Sequence, residues 1–358
     1  MPAVTCLPKS VLIALAFLFA TYGANAVSLC DNFQQPCSVV NGNLWLGDEE
    51  LTAKIEEVLQ QSSKTYEQFF AEKPVKVAIV SGGNINSELR EKLKVLGFSA
   101  VLPWISESDR NNLAEASVRR QVEEQTKGMP AELQASMLAL ALKELDKALS
   151  AEANNSMSDT EMGALGHELG HIWFIQQFAS ESANTEKSVG HGYGGWAPDW
   201  LDETAAVLME NSQLTSKRRQ SFSENSSENF VALSEFLSME HPAYKAAMAL
   251  AEKSSSENGD GESDDAKAII LTGEDADKFM AASGGDPTDF YIQVRTFADF
   301  LIEQYSDQHV FEKIAKHLAS GKSFEEWLSK TSSKSQPSTL KQLEARWQAW
   351  ISTKRSPI

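Results

Sequence analysis

Residues 158–178 read SDTEMGALGHELGHIWFIQQF, and this stretch restricts the possible folds more than any other in the chain. Ser158 with Glu161 three residues on is a capping-box pattern, so a helix begins there and runs to about Phe178. Met162, Leu165, Leu169, Ile172 and Trp173 gather on one side of it, which must pack into a core. His167 and His171 lie about 40° apart on a different face, turned away from the main apolar stripe.

Gly163, Ala164 and Gly170 flank the histidine face. A glycine inside a helix costs roughly 1 kcal/mol relative to alanine. Clearance beside the histidines for an ion, a water molecule and a substrate backbone gives these small residues a reason that packing alone does not. Neutral imidazoles at i and i+4 chelate Zn²⁺ tetrahedrally, and the ion lowers the pKa of its water toward ~7. Glu168, beside the pair, is placed to accept that proton and pass it to a leaving amine rather than to bind the ion. The chain holds only six histidines, which makes a chance HExxH improbable.

A catalytic zinc needs a third protein ligand and an open fourth position. The metzincin pattern would need glycine and histidine where this chain has Phe174 and Gln177, so it is excluded. Two candidates remain. His191 stands in the glycine-rich VGHGYGGWAP, and Glu203 stands in PDWLDETAAVLME, where Pro198 starts a second helix whose Leu201, Ala205 and Leu208 face away from Glu203. A rigid helix holds a ligand better than a glycine-rich loop, which favours Glu203. Asp202 points elsewhere round that helix. Glu210 shares Glu203's face and could bond a histidine, although a solvated charge is the simpler reading. Trp196 and Trp200 either line a groove or pack at the helix start.

The rest of the chain supplies the setting. Residues 1–26 carry one cation, Lys9, then an apolar run from Val11 to Tyr22 and Ala24-Asn25-Ala26, the pattern of a secretory signal peptide cleaved after Ala26. The run is too short to span a bilayer, and no later segment approaches a span, so no stable membrane insertion is expected after cleavage. A periplasmic or secreted location follows. Cleavage leaves Cys30 and Cys37, which should form a disulfide in an oxidising compartment. The net charge of −18 becomes about −19 on losing Lys9, which makes nucleic acid and anionic membranes poor partners.

Residues 27–155 read as an N-terminal α+β portion. VVNGNLWLG suggests a short strand, and Asp48 opens a helix with Leu51, Ile55, Leu59, Tyr66 and Phe70 in step. Residues 75–80, VKVAIV, form the clearest strand, and residues 99–105, with Pro103 inside, a weaker edge strand. A helix after Pro130 sets Leu138, Leu142, Leu145 and Leu149 on one stripe, read as core. Residues 156–353 are almost entirely helical apart from SSSENGDGESDDAK at 254–267, read as a solvated, mobile acidic loop whose order matches no calcium-binding motif. No internal repeat is visible. The fold class is therefore α+β, with a small N-terminal sheet and helices, the HExxH helix, and a largely helical C-terminal half.

HELGH followed by PDWLDETAAVL resembles the gluzincin branch of the clan MA zinc metallopeptidases, whose third ligand is the glutamate of a W-L-x-E helix. ALSEFLSMEHP at 232–242, residues 290–328 and LEARWQAWI at 343–351 are similar in order and character to the helical half of bacterial peptidase MA-like domains. Thr204 replaces the glycine usual after the third ligand, and the acidic loop is extra. The resemblance implies one zinc ion held by His167, His171 and Glu203, with Glu168 as general base, acting on a peptide or protein substrate. Such sites also use a second oxyanion donor beyond the third ligand. Tyr291, opening the helix after Gly284-Gly285-Asp286-Pro287, is the candidate, with His241 and Tyr193 as alternatives and core packing as the competing role. A zinc-stabilised, non-catalytic binding or scaffold protein on the same fold is the other reading, against which the presence of Glu168 argues.

Overall fold

The computed structural model describes residues 29–82, 85–149, 157–179, 196–224, 230–246, 287–333 and 335–355. The signal segment, His191, Tyr193 and the acidic loop at 254–267 lie outside the described residues.

The chain enters through a disulfide between Cys30 and Cys37, with Cα atoms 5.5 Å apart. The segment expected to be a single strand is instead a hairpin, β1 (Cys37–Val40) and β2 (Asn43–Leu46). The cause is Asn41-Gly42: both residues take positive φ, 50° and 83°, and an Asn-Gly pair is the preferred source of the two left-handed positions that a tight hairpin turn requires. β3 (Val77–Ser81) and β4 (Ala100–Trp104) extend the sheet in parallel, giving the order β1-β2-β3-β4. Pro103 lies on β4 at the sheet's edge, where its missing N–H leaves no inner ladder broken.

The two faces of the sheet serve different cores. Trp45, Val77, Ile79, Leu102 and Trp104 join Ile55, Leu59, Tyr66 and Phe70 of α1 (Glu49–Phe70) in the main core. The alternate residues Leu44, Leu46, Ala78 and Val80 form a smaller core with Leu93 of α2 (Ser87–Val95) and Phe98. β2 and β3 are thus covered on both sides, which is why they read as continuous apolar runs.

α3 (Glu107–Gln125) and α4 (Ala131–Leu149) pack mainly on each other. The α4 stripe read as core is not core. Leu138, Leu142 and Leu145 are only half-buried and belong to neither cluster, because the helix that they meet is itself largely polar.

α5 (Asp159–Ala179) starts as its capping box requires: the Ser158 N–H donates to the Glu161 carboxylate and the Glu161 N–H to Ser158 Oγ, both at 3.2 Å. Its Trp173, Phe174 and Phe178 pack against Tyr66 and Phe70 of α1, with ring centroids 5.6–6.1 Å apart. α6 (Asp199–Met209) is buried along its whole length. The helix Pro287–Tyr305 packs on α6, α7 (Ser212–Glu224) packs on that helix and on α5, and the helices Val310–Ala319, Phe324–Thr331 and Leu340–Arg355 complete the main core, which runs from Trp45 to Ile351. The architecture is α+β with a small mixed sheet and a largely helical C-terminal half. Among the described residues no helix is long and apolar enough to cross a membrane.

Candidate metal centre

The site exists because α5 and α6 approach unusually closely, and glycine is what permits it. A Cβ on Gly166 would stand 2.5 Å from the Met209 carbonyl oxygen, and one on Gly170 would stand 2.7 Å from the Ala205 oxygen and the Ala206 Cα. A Cβ on Gly163 would meet Leu214 at 2.5 Å. Gly163 and Gly170, expected from sequence to clear space for an ion and a substrate, are instead packed against by the neighbouring helices. The consequence for the site is direct, since close contact brings Glu203 of α6 to the histidines of α5. Gly170→Ala gains helix propensity of roughly 1 kcal/mol but meets unyielding backbone, and overpacking of this kind costs typically 1–3 kcal/mol. We expect a net fall in melting temperature together with weaker metal uptake. A melting temperature equal to or above that of the wild type would refute the close-packing role.

His167, His171 and Glu203 form a group whose ligand atoms all lie within 4.8 Å of one another, and this group could hold a metal ion. Glu203 is fully buried, His171 is 5% exposed and His167 is 9% exposed. The two Nε2 atoms are 3.3 Å apart. His167 Nε2 stands 3.4 Å from Glu203 Oε2, and His171 Nε2 stands 3.4 Å from Oε1.

The opposite edges of both rings are tied down. His171 Nδ1–H donates to Asp202 at 2.9 Å, and His167 Nδ1–H donates to Glu210 at 3.0 Å. Each carboxylate thereby fixes a tautomer with the Nε2 lone pair turned inward. Glu210, read from sequence as a solvated charge, is in fact 6% exposed and is gripped by Arg218 of α7 through two hydrogen bonds, Nε to Oε2 at 2.6 Å and Nη2 to Oε1. Asp202, placed by sequence on another side of the helix from Glu203, still reaches a histidine because α6 is enclosed and has no outward face.

Two imidazole lone pairs and a buried carboxylate thus converge. Neither Glu203 oxygen accepts a well-formed hydrogen bond. Without an ion the carboxylates draw positive charge onto the rings, and the titration of the cluster reflects that. Burial alone would lower the His171 pKa, yet the charges of Asp202 and Glu203 raise it well above the ordinary histidine value. Burial alone would raise Glu203, yet His171 and His167 hold it well below the usual carboxylate range. The centre demands positive charge, and the donor set, two imidazoles and one carboxylate with carboxylates behind the rings, suits a divalent metal ion.

Glu168 lies on the partly open stripe of α5, with Ala164 and Ile172, and among the described residues no side chain pairs with it. Tyr291 reaches the site: its ring centroid is 5.7 Å from that of His167 and 5.3 Å from that of His241, with the Arg218 guanidinium 4.8 Å over its face. Burial first, and then the Glu203 charge, push its phenol above the ordinary value. His241 is also present, with Nε2 3.1 Å from Glu203 Oε1. Trp196 and Trp200 take the packing role. Trp200 is 1% exposed and meets Phe297 and Phe324, while Trp196 stacks on Phe174. Both border a cleft of about 360 Å³ that includes none of the three convergent residues. Arg218 was missed at the sequence level, since LTSKRRQ reads as a solvated basic turn of helix.

No family model matches the chain, and no curated protein or solved structure does.

Proposed function

We propose that the protein is an exported zinc metallopeptidase of the gluzincin type that hydrolyses peptide bonds. The observation that carries this reading is the convergence of His167 and His171 Nε2 on the buried Glu203 carboxylate, beside a partly exposed Glu168 that has no side-chain partner among the described residues. Zinc bound there would supply Lewis acidity and a water acidic enough to be deprotonated near neutral pH.

The chain's own groups account for the rest of the reaction. Glu168 takes a proton from the attacking water and delivers it to the leaving amine. His167 and His171 are held in their binding tautomers by Glu210 and Asp202. Tyr291, a neutral phenol far from ionisation, donates its O–H to the oxygen of the peptide carbonyl as charge develops there. Removing one such donor typically costs ~10²–10³ in kcat. Tyr291→Phe is expected to lower kcat roughly 10²-fold with zinc content and melting temperature unchanged; unaltered turnover would make Tyr291 a packing residue. Export is supported by the disulfide between Cys30 and Cys37, which suits an oxidising compartment.

The test is metal analysis of the mature chain beside cleavage of a broad peptide library. One zinc ion per chain with cleavage supports the enzyme. Zinc without cleavage would point instead to a zinc-stabilised scaffold, and absence of zinc would sink both.

A further inference from the structure

We propose that Arg218 is a positioning residue for the site: its one guanidinium holds the Glu210 carboxylate against His167 and also sets the ring of Tyr291. The inference deepens the proposed metallopeptidase reading and rests on it.

Glu210 closes α6 and is 6% exposed. Its Oε1 accepts from His167 Nδ1–H at 3.0 Å and from Arg218 Nη2, while its Oε2 accepts from Arg218 Nε at 2.6 Å. A carboxylate held at both oxygens cannot turn about its own bond, so the oxygen that meets the imidazole keeps its place. Arginine suits this task because its N–H groups form a rigid planar fork, whereas a lysine ammonium is a point charge on a flexible stem.

The same guanidinium lies over the ring of Tyr291, 4.8 Å from the centroid. A guanidinium can bond a carboxylate through its edge and meet an aromatic ring with its face at the same time. The Arg218 side chain is only 15% exposed, so little water competes for either contact. The Tyr291 centroid is in turn 5.7 Å from that of His167. The imidazole and the phenol thus share one anchor.

That anchor joins elements that are separate in sequence. His167 stands on α5, Glu210 at the end of α6, Arg218 on α7 and Tyr291 on the helix Pro287–Tyr305. A second tether lies beside the first: Arg219 donates to Asp299 through Nε at 2.7 Å and Nη2 at 2.9 Å, about two turns along the helix from Tyr291. The Arg219 side chain is 55% exposed, and Asp299 also pairs with Arg295 at 2.9 Å, so this tether fastens α7 without touching the site. Neighbouring arginines therefore divide the work. Arg219 docks the helix, and Arg218 orients the groups that must be aimed, since an oxyanion donor and a metal-binding imidazole tolerate little misplacement.

The experiment compares Arg218→Lys, Arg218→Met and Arg219→Ala in the mature chain. Zinc affinity, measured by competition with a chromogenic chelator, should fall roughly 10–100-fold in Arg218→Met, by less in Arg218→Lys, and not at all in Arg219→Ala. In both Arg218 variants kcat should fall while KM stays near that of the wild type, because the groups affected act on the transition state. The ring is read in metal-free protein carrying 3-fluorotyrosine, whose Tyr291 fluorine signal is identified by its loss in Tyr291→Phe. That signal should move and broaden in both Arg218 variants and stay in place in Arg219→Ala. Arg218→Lys keeps a cation beside the buried Glu210, so it decides the matter if Arg218→Met does not fold.

Unchanged zinc affinity or kcat in the folded Arg218 variants overturns the proposal, and so does an unmoved fluorine signal. Losses as large in Arg219→Ala overturn it as well, because docking of α7 would then be the cause. A wild-type chain without zinc or without turnover defeats the metallopeptidase reading instead; the fluorine spectrum, which needs neither, then decides alone for or against Arg218.

Discussion

Glu168→Gln is expected to retain one zinc ion per chain and the wild-type melting temperature, yet to hydrolyse peptides ~10²–10⁴-fold more slowly. The amide has nearly the shape of the carboxylate and cannot accept a proton from water. The structure makes this substitution unusually clean. Glu168 sits on the partly open stripe of α5, and among the described residues the substitution breaks no side-chain hydrogen bond or ion pair. The ligands on either side, His167 and His171, are held by Glu210 and Asp202, so they keep their positions when the charge between them goes. Metal content, a thermal melt and turnover on a cleavable peptide, measured on the same preparation, separate the cases. Near wild-type turnover would remove Glu168 from the mechanism, and loss of zinc would mean that it acts as a ligand.

What the sequence made legible follows from the range of each interaction. The capping box of α5, the i, i+4 histidines and the strand Val77–Ser81 are local patterns, and local patterns survive into the fold. Glu203 and Tyr291 were accessible because each stands on a helix in a recognisable run of residues. The hairpin at Asn41-Gly42 was equally local and was passed over, although the Asn-Gly pair is a strong turn signal. Other features depend on which helix lies opposite, and one sequence does not carry that information. Glu210 and Arg218 look like solvated charges until α6 and α7 enclose them against α5. Gly163 and Gly170 look like clearance until Leu214 of α7 and the backbone of α6 fill it. The α4 leucines look like core until α3 proves too polar to bury them.

The outer carboxylates also explain why the histidines need such a buried setting. An imidazole in water samples both tautomers and many ring orientations. Asp202, almost fully buried, and Glu210, pinned by Arg218, leave His171 and His167 one orientation each. With the rings so oriented, both Nε2 atoms stand 3.4 Å from a Glu203 oxygen.

Removing Glu203 should therefore have the larger effect on metal binding. We expect Glu203→Ala to weaken zinc affinity by far more than the ~10–100-fold typical of outer partners, because it deletes a ligand outright. His191→Ala, which alters a residue of the glycine-rich segment, should leave affinity within a few-fold of the wild type. Glu203 is fully buried and has the imidazoles of His167, His171 and His241 at 3.1–3.4 Å, so its loss also strips those rings of their shared negative partner. Breaking a buried charge pairing from one side commonly costs about 3–5 kcal/mol, and loss of metal could then reflect loss of fold. Glu203→Gln guards against that confusion by keeping the volume and one oxygen while removing the charge. Zinc affinity is measured by competition with a chromogenic chelator, only on variants whose melts show cooperative unfolding. A folded Glu203→Gln protein that binds zinc poorly fixes the role of the carboxylate. If His191→Ala loses zinc while Glu203→Gln keeps it, the third ligand is His191, and the convergence of His167, His171 and Glu203 is a buried polar cluster of another kind.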